Sequence, residues 1–132
     1  MSKSNKTNNW VKRHSKDPFV KKSQTDKYRS RAAYKLKSID EKFDILKDVR
    51  CVVDLGCAPG SWLQVLQEYK HIREIIGIDV LDLDLIPGVH IYKQEIRDYE
   101  SLDKIFIKSN IVVDLVLSDI APNITGISDI DQ

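Results

Sequence analysis

The residues with the most chemical content stand at the ends of short apolar runs. Cys51-Val52-Val53-Asp54-Leu55-Gly56 runs into Cys57-Ala58-Pro59-Gly60-Ser61-Trp62. That is a strand, a glycine turn and a helix start, in which Gly56 permits close approach of a ligand and Gly60 permits the turn. Ile75-Ile76-Gly77-Ile78-Asp79 ends in a carboxylate 25 residues after Asp54. An acid in that place accepts hydrogen bonds from both hydroxyls of an adenosine ribose, or caps a helix. Glu95 and Asp98 follow the next apolar run; Glu95 is placed to reach an adenine amino group, and Asp98 suits a helix N-cap. Ile111 to Ser118 runs into Asp119, with Pro122 holding the exit extended.

These acids need a scaffold that brings them together. Apolar runs at 51–56, 75–79, 89–92 and 111–119 read as strands, the best of them as buried parallel strands. Between them lie amphipathic stretches at 61–69 and 99–108. Ahead of them, Asp17-Pro18 opens a short basic helix, Phe19 to about Gln24. Ser30 caps a longer helix whose apolar stripe is Ala32, Leu36, Ile39 and Phe43. Lys35 borders that stripe, as a snorkelling lysine or as a functional one. Strands alternating with helices predict an α/β fold: a Rossmann-like parallel sheet with helices on both faces. Ligands of such sheets bind at the carboxyl ends of the strands, where strand order reverses. Gly56–Gly60, Asp79 and Asp119 all fall at that edge.

Composition bounds the rest. The 132 residues are 42% apolar and 31% charged, with a net charge of +1, as in a soluble globular domain. No run approaches the ~20 apolar residues of a membrane span, and Met1–Asn9 is polar, unlike a secretory signal. Cys51 and Cys57 fit neither a C-x-x-C redox pair nor a zinc site, so they read as small buried hydrophobes in a reducing compartment, with a cytoplasmic location and no metal. The charge is split. Through Arg50 there are 15 Lys+Arg and 6 Asp+Glu, and from Cys51 onward 6 and 14. A basic arm on an acidic body suggests a polyanionic partner, or a solvated extension. The turn lacks G-x-G-x-x-G, which argues against a nicotinamide or flavin dinucleotide, and lacks the Gly-Lys-Ser/Thr of a P-loop.

Taken together, these segments resemble the FtsJ/RlmE family. The resemblance rests on D-L-G-x-A-P-G-x-W at Asp54–Trp62, on Asp79, and on S-D-x-A-P-N-x-(S/T)-G beginning at Ser118. It also rests on Trp10, Asp17, Phe19 and Val20, and on Arg29-Ser30-Arg31-Ala32-Ala33-Tyr34-Lys35-Leu36. Members are S-adenosylmethionine-dependent methyltransferases of the 2′-hydroxyl of a ribose in large-subunit ribosomal RNA, and the resemblance implies a uridine as the target. The resemblance implies that Gly60 and Trp62 contact the cofactor S-adenosylmethionine, that Asp79 holds its ribose, and that Glu95, where the family has Asp, lies near its adenine. It implies that Asp119 lies by the amino group and sulfonium and belongs, with Lys35, to a Lys-Asp-Lys-Glu catalytic set. The second lysine and the glutamate come from later strands in the family and are not found before Gln132. The expectation is therefore a sheet ordered 3-2-1-4 with the C-terminal strands missing. Residues 1–29 form a basic arm and short helix, and residues 30–132 a partial S-adenosylmethionine-binding domain.

In the chemistry this implies, a ribose oxygen displaces a sulfonium in line, positioning supplies much of the acceleration, and a lysine orients the hydroxyl. Lys12, Arg13, Lys16, Lys21, Lys22, Arg29 and Arg31 become contacts to the phosphates of ribosomal RNA. The competing readings are a catalytically inactive RNA-binding or cofactor-binding module and, disfavoured by its glycines, a nucleotide-linked oxidoreductase.

Overall fold

In the computed structural model, which describes residues 18–120, the apolar runs are strands and the periodic stretches are helices. The order is α1 (Pro18–Asp26), α2 (Ala32–Phe43), β1 (Cys51–Leu55), α3 (Ser61–Gln67), β2 (Glu74–Asp79), β3 (His90–Lys93), α4 (Tyr99–Ser109) and β4 (Leu115–Ser118). The strands form one sheet ordered β3-β2-β1-β4, and every pairing is parallel. All carboxyl ends therefore meet at one edge, and the order reverses between β1 and β4, as expected of a doubly wound sheet.

Pleating sends successive residues of β1 to opposite faces. Val52 joins a core with Leu36 of α2 and Leu63 and Leu66 of α3. Val53 joins a second core with Ile76, Ile78 and Leu102 of α4. Helices thus cover both faces. Leu36, Leu63 and Val52 are fully buried, each stabilising the fold by about 1.5–3 kcal/mol. Gly77 of β2 lets α3 sit close, because a Cβ there would lie 2.9 Å from both Cys57 Sγ and Leu63 Cδ1. Cys51 and Cys57 are free and buried, as expected.

Several expectations need correction. The buried face of α2 is Ala33, Tyr34 and Leu36, while Phe43 is 65% exposed. The helix presents its i, i+3 positions from Ala33 to the sheet, and Phe43 falls in its last turn. The expected cap at Ser30 is kept: its Oγ accepts from Ala32 N at 3.3 Å and bonds Ser61 Oγ at 2.8 Å, while Arg31, next before the first helical residue, makes no side-chain cap hydrogen bond. β4 begins only at Leu115. Asp114 instead turns its carboxylate onto the amides of Arg50 and Cys51, at 2.8 and 2.9 Å, and those bonds hold its carboxyl below the usual range. Asp98 does cap α4, accepting from Ser101 N at 3.2 Å. The expected cap at Asp17, the arm residues Trp10, Lys12, Arg13 and Lys16, and Pro122 lie outside the described residues.

Candidate functional site

The strand ends deliver three carboxylates to the reversal point. Asp54 is in β1, between Gly77 of β2 and Leu117 of β4, and is 2% exposed. Desolvation, then the negative charges of Asp119 and Asp79, push its carboxyl up to about 7. Burial and the charges of Asp54 and Asp79 push the neighbouring Cys57 thiol up to about 12, which keeps it a protonated, unreactive filler.

The turn after β1 is held from two sides. Gly56 N and Cys57 N both donate to Ile78 O, at 2.7 and 3.2 Å. Asp79 is buried, and its two oxygens accept from Ala58 N and Leu81 N, each at 2.9 Å. Each oxygen keeps a lone pair for a further donor. On the far side Arg29 donates to Pro59 O at 2.9 Å, Asp84 O at 2.7 Å and Leu85 O at 3.4 Å. Its guanidinium thus staples the 57–60 turn to the loop after β2. Gly60 sits beneath that staple at φ +112°, and a Cβ there would lie 2.8 Å from Arg29 Nη1.

Lys35, on α2, reaches across to β4's exit. Its Nζ lies 2.5 Å from Asp119 Oδ1, with side-chain exposures of 60% and 32%. Asp119 stands where three hollows meet. One, of about 560 Å³, is walled by Gly56, Ala58, Asp79, Glu95 and Ile120 among others. The second, of about 420 Å³, opens between α1 and α2. The third is a small cavity of about 50 Å³ lined by Asp54, the 56–59 turn and Trp62.

The structure therefore gathers Lys35, Trp62, Asp79, Glu95 and Asp119 around connected hollows. Trp62 is 6% exposed and donates its indole N–H to Ala32 O at 2.7 Å, so mainly its ring faces the small cavity. Glu95 is half-buried; its Oε1 accepts from Arg97 N and Nε, at 3.1 and 3.3 Å, which holds its carboxyl below the usual range. Gly60 is the one expected contact that lines none of these three hollows. It faces Arg29, Leu83 and Ile86 instead. Arg29 differs too, because its guanidinium is committed to backbone carbonyls. Sequence reading also missed Asp54 as a site group, although its position mid-strand in an apolar run was the available signal. Among the described residues no cluster of His, Cys, Asp or Glu forms a metal site, and no helix is long and apolar enough to cross a membrane.

Comparison with known proteins agrees with this geometry. The family model for FtsJ-like methyltransferase matches residues 28–132. The chain is 45% identical over 127 residues to a ribosomal RNA large subunit methyltransferase E of Methylobacillus flagellatus, covering 93% of this chain and 60% of that protein. Its identity to the protein of the same name from Marinobacter nauticus is 42% over 134 residues, covering 100% and 65%. The chain thus spans about three fifths of the length of these curated relatives. A crystal structure described as a ribosomal RNA methyltransferase from Plasmodium falciparum superposes with a TM-score of 0.67 at 39% identity, covering 79% of this chain and 62% of that one. Sheet order, turn and acidic edge are accordingly those of a Rossmann-like methyltransferase fold, and the chain belongs to the FtsJ-like methyltransferase family.

Proposed function

We propose that this chain carries the S-adenosylmethionine site and the first half of the catalytic set of a methyltransferase acting on the 2′-hydroxyl of a uridine ribose in large-subunit ribosomal RNA. Residues 30–132 form the cofactor-binding part, and residues 1–29 the RNA-facing arm. The carrying observation is Asp119, shared between an acidic hollow and the Lys35 ammonium. The fit to the cofactor follows from donor chemistry. Among the described residues, the larger hollow is lined by Asp79, Glu95 and Asp119 against Arg97, and buried Asp54 lines the adjoining cavity. Such a surround favours a cationic ligand with ribose hydroxyls.

When bound, S-adenosylmethionine supplies an electrophilic methyl group on sulfur. Asp79, already fixed by two amides, accepts from the ribose hydroxyls. Glu95 accepts from the adenine amino group. Asp119 faces the positive charge and anchors Lys35. Lys35 directs one of its three donors to the acceptor hydroxyl and steadies the negative charge that develops there.

Calorimetric titration of the chain with S-adenosylmethionine tests this reading. Saturable binding, abolished by Asp79→Ala while the fold persists, is the expected result. Absence of heat at millimolar ligand refutes it. Methylation is read separately, as nuclease-resistant 2′-O-methyl dinucleotides from ribosomal RNA, with Lys35→Ala as the inactive control.

A further inference from the structure

Of the three carboxylates at the reversal point, two are compensated and one is not. Asp79 accepts from Ala58 N and Leu81 N, each at 2.9 Å. Asp119 faces the Lys35 ammonium at 2.5 Å. Asp54 is 2% exposed, and among the described residues no donor or cation reaches its carboxyl. Among those residues no buried side-chain oxygen is sealed off without a partner. The Asp54 carboxyl therefore opens onto the small cavity it lines, whose volume of about 50 Å³ leaves room for water. Gly56, Ala58 and Asp119 line both this cavity and the larger hollow. A charge bound in the larger hollow thus acts on Asp54 across a shared, poorly screened wall.

The groups that face Asp54 come from every element around it. The turn after its own strand brings the Cys57 thiol, β2 brings Asp79, and β4 leads to Asp119 with Lys35 of α2 behind it. Helix α3 brings the Ser61 hydroxyl, bonded to Ser30 Oγ at 2.8 Å, and the Trp62 indole, whose N–H is given to Ala32 O. The two charges that act on Asp54 are both negative.

We infer that Asp54 is the specificity-determining residue by which the site tells the methyl donor from its spent product: its carboxyl stands ionised near a positive sulfur and takes up a proton from solvent once that sulfur is neutral. The inference rests on the proposed function and deepens it. In the transfer the carbon–sulfur bond breaks with its electron pair left on sulfur, the methyl group joins the ribose oxygen, and the hydroxyl proton leaves to solvent. The remaining ligand is a thioether with one positive charge fewer. Three carboxylates then lack a sulfonium, and the uncompensated one gains the proton. Burial and the same two neighbours already push the Asp54 carboxyl up to about 7, so the exchange falls at neutral pH. Below that pH the donor must displace a proton to bind, and the product need not. Affinity for the sulfonium therefore rises with pH, and affinity for the thioether does not.

The test is calorimetric titration of the whole chain with S-adenosylmethionine and, separately, with S-adenosylhomocysteine, at pH 6 and pH 8. In the unaltered chain the ratio of product Kd to donor Kd should rise about tenfold between the two, which lie on either side of the Asp54 carboxyl. In Asp54→Asn the ratio should stay level; the titration of the ligands themselves is common to both proteins and cancels. Binding of either ligand reports that the variant is folded. A donor analogue with an amine on carbon in place of the sulfonium keeps the positive charge and should follow the donor. A level ratio in the unaltered chain, which needs no variant, overturns the inference while leaving the cofactor reading standing. An equal rise in Asp54→Asn does the same. Failure of both ligands to bind the unaltered chain overturns the cofactor reading instead.

Discussion

Asp54→Asn separates the electrostatics of the site from its packing. Asp54 is 2% exposed and carries a carboxyl pushed up to about 7, by desolvation first and then by Asp119 and Asp79. In the unfolded chain it titrates near ~3.9. Between those values the folded state binds more protons than the unfolded state, so stability falls as pH rises through the window. The loss is complete above pH 7 and amounts to about 4 kcal/mol at most. Asparagine has nearly the same shape and no ionisation, so the variant escapes this loss. Urea unfolding of both proteins at pH 5 and pH 8 is the assay. From pH 5 to pH 8 the unaltered chain should lose about 2.5 kcal/mol more than Asp54→Asn, because about two thirds of the window lies above pH 5. Parallel pH profiles would refute the reasoning. Ligand binding should show the mirror image. A cation in the hollow favours ionised Asp54, so S-adenosylmethionine should bind with proton release at pH 7, detected as a buffer-dependent heat that Asp54→Asn reduces.

Other perturbations follow from the same geometry. Gly60→Ala places a Cβ 2.8 Å from Arg29 Nη1 at φ +112° and should destabilise the fold by about 2–3 kcal/mol in urea unfolding. Arg29→Ala strips donors from three carbonyls that fix the 57–60 turn. It should cost about 2 kcal/mol and weaken S-adenosylmethionine binding by calorimetry, with Arg29→Lys intermediate. Leu63→Ala, at a fully buried position between α3 and the sheet, should cost about 2–5 kcal/mol.

The sheet was legible because parallel strands buried on both faces read as unbroken apolar runs, and the runs at 51–55 and 75–79 have no competing interpretation. The strand at the sheet's edge was less so. Ile111–Asp114 and Leu115–Ser118 are each three apolar residues followed by a polar one, and the bonding of Asp114 to Arg50 and Cys51 marks where β4 begins. Long-range bonds of that kind leave no periodic trace. The same limit hid Arg29, whose neighbours in the chain mark it as one of many basic residues while its partners lie 30 to 56 positions away. Asp119 and Lys35 were legible as types and spacings; their 2.5 Å contact spans 84 residues and had to come from the fold. Phe43 shows the reverse error, since a regular stripe extends arithmetically past the point where the helix leaves the core.

The central claim is that one ligand bearing a positive sulfur touches the 56–59 turn, Asp79 and Asp119 at once. A crystal of the chain grown with S-adenosylmethionine measures it directly. The account requires the ribose hydroxyls within hydrogen-bond reach of the Asp79 carboxylate and the sulfur beside Asp119, on the side away from Phe19. Density for the ligand anywhere else, or between α1 and α2, would contradict it.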